Sequence, residues 1–387
     1  MKKSLFPILL LLHLTTHLLA QPLPKPPFSI PANADSLAWW INTNCTTERD
    51  KLATLYAWIS DHIKYDKKGM DSRTHQIAGV DTLGLINREL QSGKAVCVGY
   101  AAIFMHIARK MDITSLLVTG YCFDRKMKRL DTAHAWVAVK TGADWSFVDP
   151  TWGAGYIVPA SQKILFWKIR RFHFLPRLDW RYFMKSNDVF IKDHVPFDPL
   201  LQFSYRPVSH DSIRMKSRNA DTTLPLFRFN DTLNYVNRLN NADKALNEIA
   251  RIRRYGTANA LLSEYINAQR QNIPYYQYQD DKASGQYDKY RATATELTKL
   301  KEEYTNIEAA LNTQTPDWNA LTARLQTLAI KAVSLEKEMT GIVLTYIDNK
   351  YDLRSNIRLV QLLQRQIAAQ QRYIERKTNP LIRKSAL

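Results

Sequence analysis

Apolar residues at Leu52, Leu55, Tyr56, Ile59 and Ile63 recur at helical spacing, with Thr46 or Thr47 as cap and Glu48 and Asp50 in the first turn, so a helix is expected there. Asp66 to Gly93 is charged and polar with little periodicity, which suits surface loops and a short helix around Leu83–Leu90. From Cys97 to about Met111 a further helix is expected, with Val98, Ala101, Ala102, Met105 and Ala108 along one side. Three runs of strand character follow, Ser115–Tyr121, His134–Lys140 and Trp145–Val148. In the second, His134, Trp136 and Ala138 share one face and Ala135, Val137 and Val139 the other, while Trp145, Phe147 and Asp149 share a face of the third. A two-residue turn at Thr141-Gly142 would pair Lys140 with Ala143 and set His134 opposite Asp149; a longer turn shifts that register by a residue or two.

Asp179 to about Ser212 is aromatic, proline-bearing and irregular, and then the composition turns to helix formers. Asp231 to Tyr255 reads as one helix ended by Gly256, whose lack of a Cβ suits a left-handed cap. Leu297, Leu300, Tyr304, Ile307 and Leu311, and after a polar break Leu321, Leu325, Leu328, Ala332, Leu335 and Met339, repeat at alternating three- and four-residue steps. These are two amphipathic helices of an antiparallel hairpin over 295–340, with seams too short for an extended coiled coil. The expected organisation is a leader over 1–20, a proline-rich stretch over 21–35, a catalytic domain over 36–220 and a helical C-terminal domain over 221–387. The fold class is α+β followed by an all-α region.

The leader is expected to be a secretory signal peptide: Lys2 and Lys3 precede an apolar stretch from Leu5 to Leu19, then Ala20, too short and too diluted for a membrane helix. It implies a secreted or periplasmic protein. A content of 45% hydrophobic and 23% charged residues excludes a disordered polymer, and a formal charge of +18 excludes indifference to anionic surfaces. Export argues against nucleic acid as the partner. From Gly341 to the end nine Lys or Arg stand against three acidic residues, so basic C-terminal helices could hold the protein near an anionic envelope or membrane surface, or merely keep it soluble. The three cysteines, Cys45, Cys97 and Cys122, are too few for a disulfide scaffold; in an oxidising compartment Cys45 and Cys122 are the pair expected to bridge if Cys97 is to stay reduced. His173, His194 and His210 are too widely separated for a known metal-ligand spacing, Cys97 has no CxxC partner, and no Gly-rich phosphate loop occurs, so neither a metal nor a cofactor is expected.

Cys97 begins its helix, where unpaired N–H groups and the helix dipole favour a thiolate. An imidazole as base and a carboxylate to fix its tautomer would complete a thiol nucleophile, and His134 and Asp149 fit those roles. Singly, each has a blander use: a buried small residue, a core or surface histidine, a turn former before Pro150.

Order and context raise the signal. Gly93-Lys94-Ala95-Val96-Cys97-Val98-Gly99-Tyr100-Ala101, Ala133-His134-Ala135-Trp136-Val137 and Val148-Asp149-Pro150-Thr151-Trp152-Gly153 closely resemble the three motif blocks of the transglutaminase-like superfamily. Ile63-Lys64-Tyr65-Asp66 is similar to an upstream motif of that family. Arg181-Tyr182-Phe183 and His194-Val195-Pro196-Phe197-Asp198-Pro199 resemble a segment that follows the core in members of the kyphoscoliosis peptidase type. The resemblance covers roughly Ser36 to His210. It implies a papain-like core in which a helix carrying the Cys packs on an antiparallel sheet, with Cys97, His134 and Asp149 as catalytic triad.

A secreted thiol peptidase or amidase is therefore expected, with a protein or peptide substrate and a thioester at Cys97. The preference for water over an amine as acceptor rests on the resemblance alone. A protein-crosslinking transglutaminase and a non-catalytic envelope binding module are the alternatives. The oxyanion hole would use the Cys97 N–H with Tyr65 or Gln91 as side-chain donor, and Trp136 and Trp152 are candidates for a substrate groove or, equally, for core packing.

Overall fold

The computed structural model describes residues 23–27, 32–66, 82–124, 126–164, 167–215, 225–257 and 259–379. The signal-peptide expectation, residues 21–22 and 28–31 of the proline-rich stretch and the last eight residues lie outside them. The described chain divides into two compact units, one holding residues 23–66, 82–118 and 135–186, the other 119–134 and everything from 187 onward.

The first unit opens with a helix for which no apolar period was recognised, α1 (Ala34–Asn44), capped by Asn33, whose side chain accepts from the Ser36 N–H. In α2 (Glu48–His62) Thr47 is the cap, accepting from the Asp50 N–H at 3.0 Å. Two-residue strands β1 (Lys64–Tyr65) and β2 (Lys94–Ala95) pair in parallel and flank α3 (Thr82–Ser92). The expected cysteine-bearing helix is α4 (Cys97–Lys110). It is apolar nearly all round and therefore becomes the centre of the core rather than an edge. Tyr100, Ile103, Phe104 and Ile107 share one cluster with Leu37 and Ile41 of α1, Leu52, Leu55 and Ile59 of α2, and Ala135, Val137, Val139 and Val148 of the strands. At about 1.5–3 kcal/mol per fully buried large aliphatic or Phe side chain, this cluster is the main stabilising element of the unit.

Strands β3 (Ser115–Phe123), β4 (Arg129–Thr141), β5 (Asp144–Val148) and β8 (His194–Pro196) form a four-stranded sheet in the order β5-β4-β3-β8. With the helices around it this is the α+β class with an antiparallel sheet that the motifs imply. After β5 come α5 (Pro150–Ala154) and an antiparallel hairpin of β6 (Gly155–Ile164) and β7 (Trp167–Pro176), which the hydrophobic pattern did not reveal. Gly155 starts that hairpin with φ +156°, and a Cβ there would stand 2.2 Å from the Leu175 carbonyl oxygen.

In the second unit, after α6 (Asn187–Phe190) and α7 (His210–Arg214), the single helix expected over 231–255 is two, α8 (Phe229–Asn237) and α9 (Asn241–Arg254). Asn240 breaks it by adopting extended backbone and accepting the Asp243 N–H at 2.7 Å, a start signal embedded in an otherwise continuous helical pattern. Gly256 does take a positive φ, +96°. Long helices α10 (Ala260–Ala283), α11 (Gln286–Leu311), α12 (Trp318–Thr340) and α13 (Ile347–Thr378) follow. The expected hairpin is α11 and α12, and α13 lays Leu353, Val360, Leu363, Ile367 and Ile374 into the same cluster, making three helices of two. Ile249, Ile252, Leu262 and Ile266 instead join Tyr121, Val195, Phe197, Val208 and Ile213, so the hydrophobic clustering runs across residue 220 without a break.

Two adjacent carboxylates at the end of α10 hold other helices by their N-termini. Asp280 accepts from the Asn241 and Ala242 N–H groups that open α9. Asp281, almost fully buried, accepts from the Thr345 and Tyr346 N–H groups and the Thr345 hydroxyl just before α13, whose own cap residue, Tyr346, makes no side-chain capping bond. Asp281→Ala removes a cap supplied from another helix and is expected to lower stability by about 2 kcal/mol. Urea denaturation followed by far-ultraviolet circular dichroism measures it; an unchanged midpoint would show that α13 docks by apolar packing alone.

Candidate active site

Cys97 is the first residue of α4, and the chain reaches it from β2, where Ala95 pairs with Tyr65 of β1. Val96, the cap residue, has no side-chain acceptor to offer, so the first N–H groups of α4 are left to whatever occupies the helix end. Tyr100 donates its hydroxyl to the Ile63 carbonyl at 2.5 Å and ties this turn to the segment leading into β1. The Glu89 carboxylate, 1% exposed, lies against the same turn: a Cβ on Gly99 would come within 1.6 Å of its Oε2. Burial pushes the Tyr65 hydroxyl far up, and the nearby charges of Cys97 and Asp149 push it further. The Tyr65 phenol is thus a protonated donor at any neutral pH, in the field of both residues. Gln91, the other oxyanion candidate, is exposed on the last turn of α3.

Asp149 is fully buried and immobilised by its backbone role. Its Oδ1 accepts from the Thr151 N–H at 2.8 Å and the Trp152 N–H at 3.0 Å, capping α5, and Pro150 takes the first helical position, where no N–H is needed. The β4–β5 register differs from the two-residue turn considered above. Lys140 pairs with Trp145 and Val137 with Val148, which places the turn at Gly142-Ala143. Gly142 adopts φ +57°, a conformation without penalty only for glycine, and this fixes the loop one residue later than expected. Carried one step past Val148, the register sets Asp149 opposite Trp136 rather than His134. Alternation keeps His134 on the Trp136 face of β4 whatever the register with β5. Trp136 is enclosed completely, with 0% exposure, whereas Trp152 is half-buried and meets Tyr182 edge-on at 5.4 Å.

In the second unit His134 is buried beside two residues that sequence spacing did not join to it. Ligating atoms of Cys122, His134 and His194 all lie within 4.8 Å of one another. Cys122 and His194 are direct partners across β3 and β8, and the His134 and His194 rings are 5.7 Å apart. Asp193 holds His194 by Nδ1 at 2.6 Å, and the Phe190 ring lies 4.1 Å from it. His194, set aside above on its spacing from His173 and His210, thus joins a group of three residues that could ligate a metal. Its members are far apart in the chain, and only the pairing of β3 with β8 brings them together. His210 is elsewhere, between the Tyr121 hydroxyl and the Phe197 carbonyl. The Cys45–Cys122 bridge is not formed either: Cys45, Cys97 and Cys122 are all buried and none is in a disulfide, and Cys45 contacts the Thr54 hydroxyl at 3.4 Å.

Residues 35–150 match the family model of the transglutaminase-like superfamily. Among curated proteins, human kyphoscoliosis peptidase is 27% identical over 155 residues, which is 39% of this chain and 21% of the relative. The mouse kyphoscoliosis peptidase is 26% identical over 155 residues, with the same coverage. The chain thus spans about a fifth of the length of these relatives. A solved structure described as a crystal structure of a TGase aligns with a TM-score of 0.24 at 20% identity, over 30% of this chain and 31% of the other.

Proposed function

We propose that this chain, of which residues 35–150 match the transglutaminase-like superfamily model, is a cysteine-dependent acyl-transfer enzyme with Cys97, His134 and Asp149 as its triad. The observation that carries the reading is the single matched span, which contains all three residues in family order, with Cys97 at the opening of α4. Cys97 as thiolate attacks an amide or ester carbonyl, and the tetrahedral oxyanion takes the Cys97 backbone N–H and the Tyr65 hydroxyl. Protonated His134 gives its proton to the departing amine or, from an ester, the departing alcohol, leaving a thioester on Cys97. Asp149, whose Oδ1 caps α5, is assigned the role of holding the imidazole's tautomer.

The thioester then passes to water or to an amine. We favour hydrolysis, supported by the similarity to the kyphoscoliosis peptidases. The substrate class is protein or peptide. Secretion, and attraction of the basic C-terminal helices to an anionic envelope surface, belong to the same proposal. The test is to incubate the chain with a peptide library, with and without a primary amine, and identify by mass spectrometry the acyl group on Cys97 and the released product. A thioester that yields free acid supports a peptidase, and one that yields the amide a transglutaminase. No acyl group on Cys97 with any peptide would leave the binding-module reading in its place.

A further inference from the structure

We propose that Cys122, His134 and His194 form a buried site for a soft divalent cation, zinc, and that its occupancy withdraws His134 from the reaction. The donor set is one thiol and two imidazoles, the combination that zinc takes with a water in its fourth position. Zinc–sulfur and zinc–nitrogen bonds of about 2.3 and 2.0–2.1 Å require ligand atoms about 3.5 Å apart, so atoms already within 4.8 Å need only side-chain rotation to close on an ion.

The cluster is built rather than incidental. Three adjacent strands, β4, β3 and β8, each contribute one ligand, and the Cys122–His194 pair is set by ladder register. The Asp193 carboxylate on His194 Nδ1 is the outer partner that metal-bound imidazoles commonly carry; it orients the ring and directs the other nitrogen to the ion. Phe190 packed on the same ring restricts it further. Cys122 and His194 are fully buried and His134 keeps 8% exposure, so the ion enters on the His134 side. On binding, the Cys122 S–H bond breaks, a sulfur–zinc bond forms and the proton leaves to solvent; nothing is oxidised or reduced.

The binding stands on the cluster alone, and its consequence rests on the role proposed above for His134. The test uses the full chain carrying Cys97→Ala, which removes the nucleophile as a competing thiol. Zinc alone, titrated against a chromogenic chelator, is expected to bind in one equivalent, and cobalt in its place to show thiolate charge-transfer absorption. Adding Cys122→Ala or His194→Gln should weaken binding at least tenfold and abolish that absorption, with circular dichroism confirming the fold. Absence of zinc binding by Cys97→Ala, or binding and absorption unchanged by Cys122→Ala, would overturn the site. In the chain with Cys97 intact, zinc is expected to suppress the reaction reversibly, and Cys122→Ala to make it insensitive. A bound equivalent that leaves turnover untouched would instead overturn the role of His134.

Discussion

Cys97→Ala is expected to lower acyl-transfer activity at least about a thousandfold and to abolish labelling by iodoacetamide at that position, with the fold retained. The side chain lost is small, and its place at the opening of α4 requires no particular cap chemistry, since the cap residue Val96 supplies none. His134→Ala should cost a similar factor. A Cys97→Ala/His134→Ala double variant should cost little more than either alone, because nucleophile and base act on one transition state. Asp149 needs a subtler choice. Alanine there also deletes the α5 cap, worth about 1–2 kcal/mol, and would mix a stability loss with a catalytic one. Asp149→Asn keeps a capping oxygen and removes the charge, so a large fall in kcat at unchanged stability is the expected signature of a carboxylate that orients His134. Full activity of purified Cys97→Ala, measured on the substrate found by acyl trapping, would remove the triad altogether.

Gly153→Ala is expected to destabilise the first unit by about 3 kcal/mol. A Cβ at residue 153 would stand 1.8 Å from the Tyr56 hydroxyl oxygen and 2.3 Å from the ring carbon bearing it. Tyr56 is fully buried, its hydroxyl donates to the Asp179 carbonyl at 2.7 Å, and its ring is packed against Trp180 and Phe183. A rigid aromatic held at both ends cannot yield cheaply, unlike the end of a flexible side chain. Because Asp149 caps the helix that contains Gly153, displacing Tyr56 should also disturb the carboxylate and lower the rate of the reaction. Equilibrium unfolding in urea with tryptophan fluorescence tests this. A stability within 0.5 kcal/mol or so of the parent would mean that α5 shifts as a body and that the tight approach is not needed.

Helix and strand identity were legible wherever a side-chain period was clean. Thr47 with Asp50 announced α2, the apolar faces announced α4 and the α11–α12 pair, and alternation announced β4 and β5. Errors arose where a local signal sat inside a longer pattern. Asn240 divided an apparently continuous helix because a three-residue cap outweighed the periodicity on either side. The β4–β5 turn moved by one residue because Gly142, rather than Thr141, could adopt the positive φ that the loop begins with.

Order along the chain, the helix-opening position of Cys97 and the cap-forming Asp149-Pro150 pair are properties of consecutive residues, and the sequence alone determined them. What only tertiary structure decided depends on segments that return from far away. Tyr65 rather than Gln91 meets the charges of Cys97 and Asp149, because β1 pairs with β2 while Gln91 points to solvent from the end of α3. Asp281 caps a helix that begins more than sixty residues later. Cys122 acquires His194 as a neighbour through strand pairing alone. Periodicity reports which face of an element is buried, because burial of apolar area is nearly indifferent to the identity of the partner. Hydrogen bonds and metal-ligand clusters demand particular atoms at particular distances, and those distances exist only once the elements have packed.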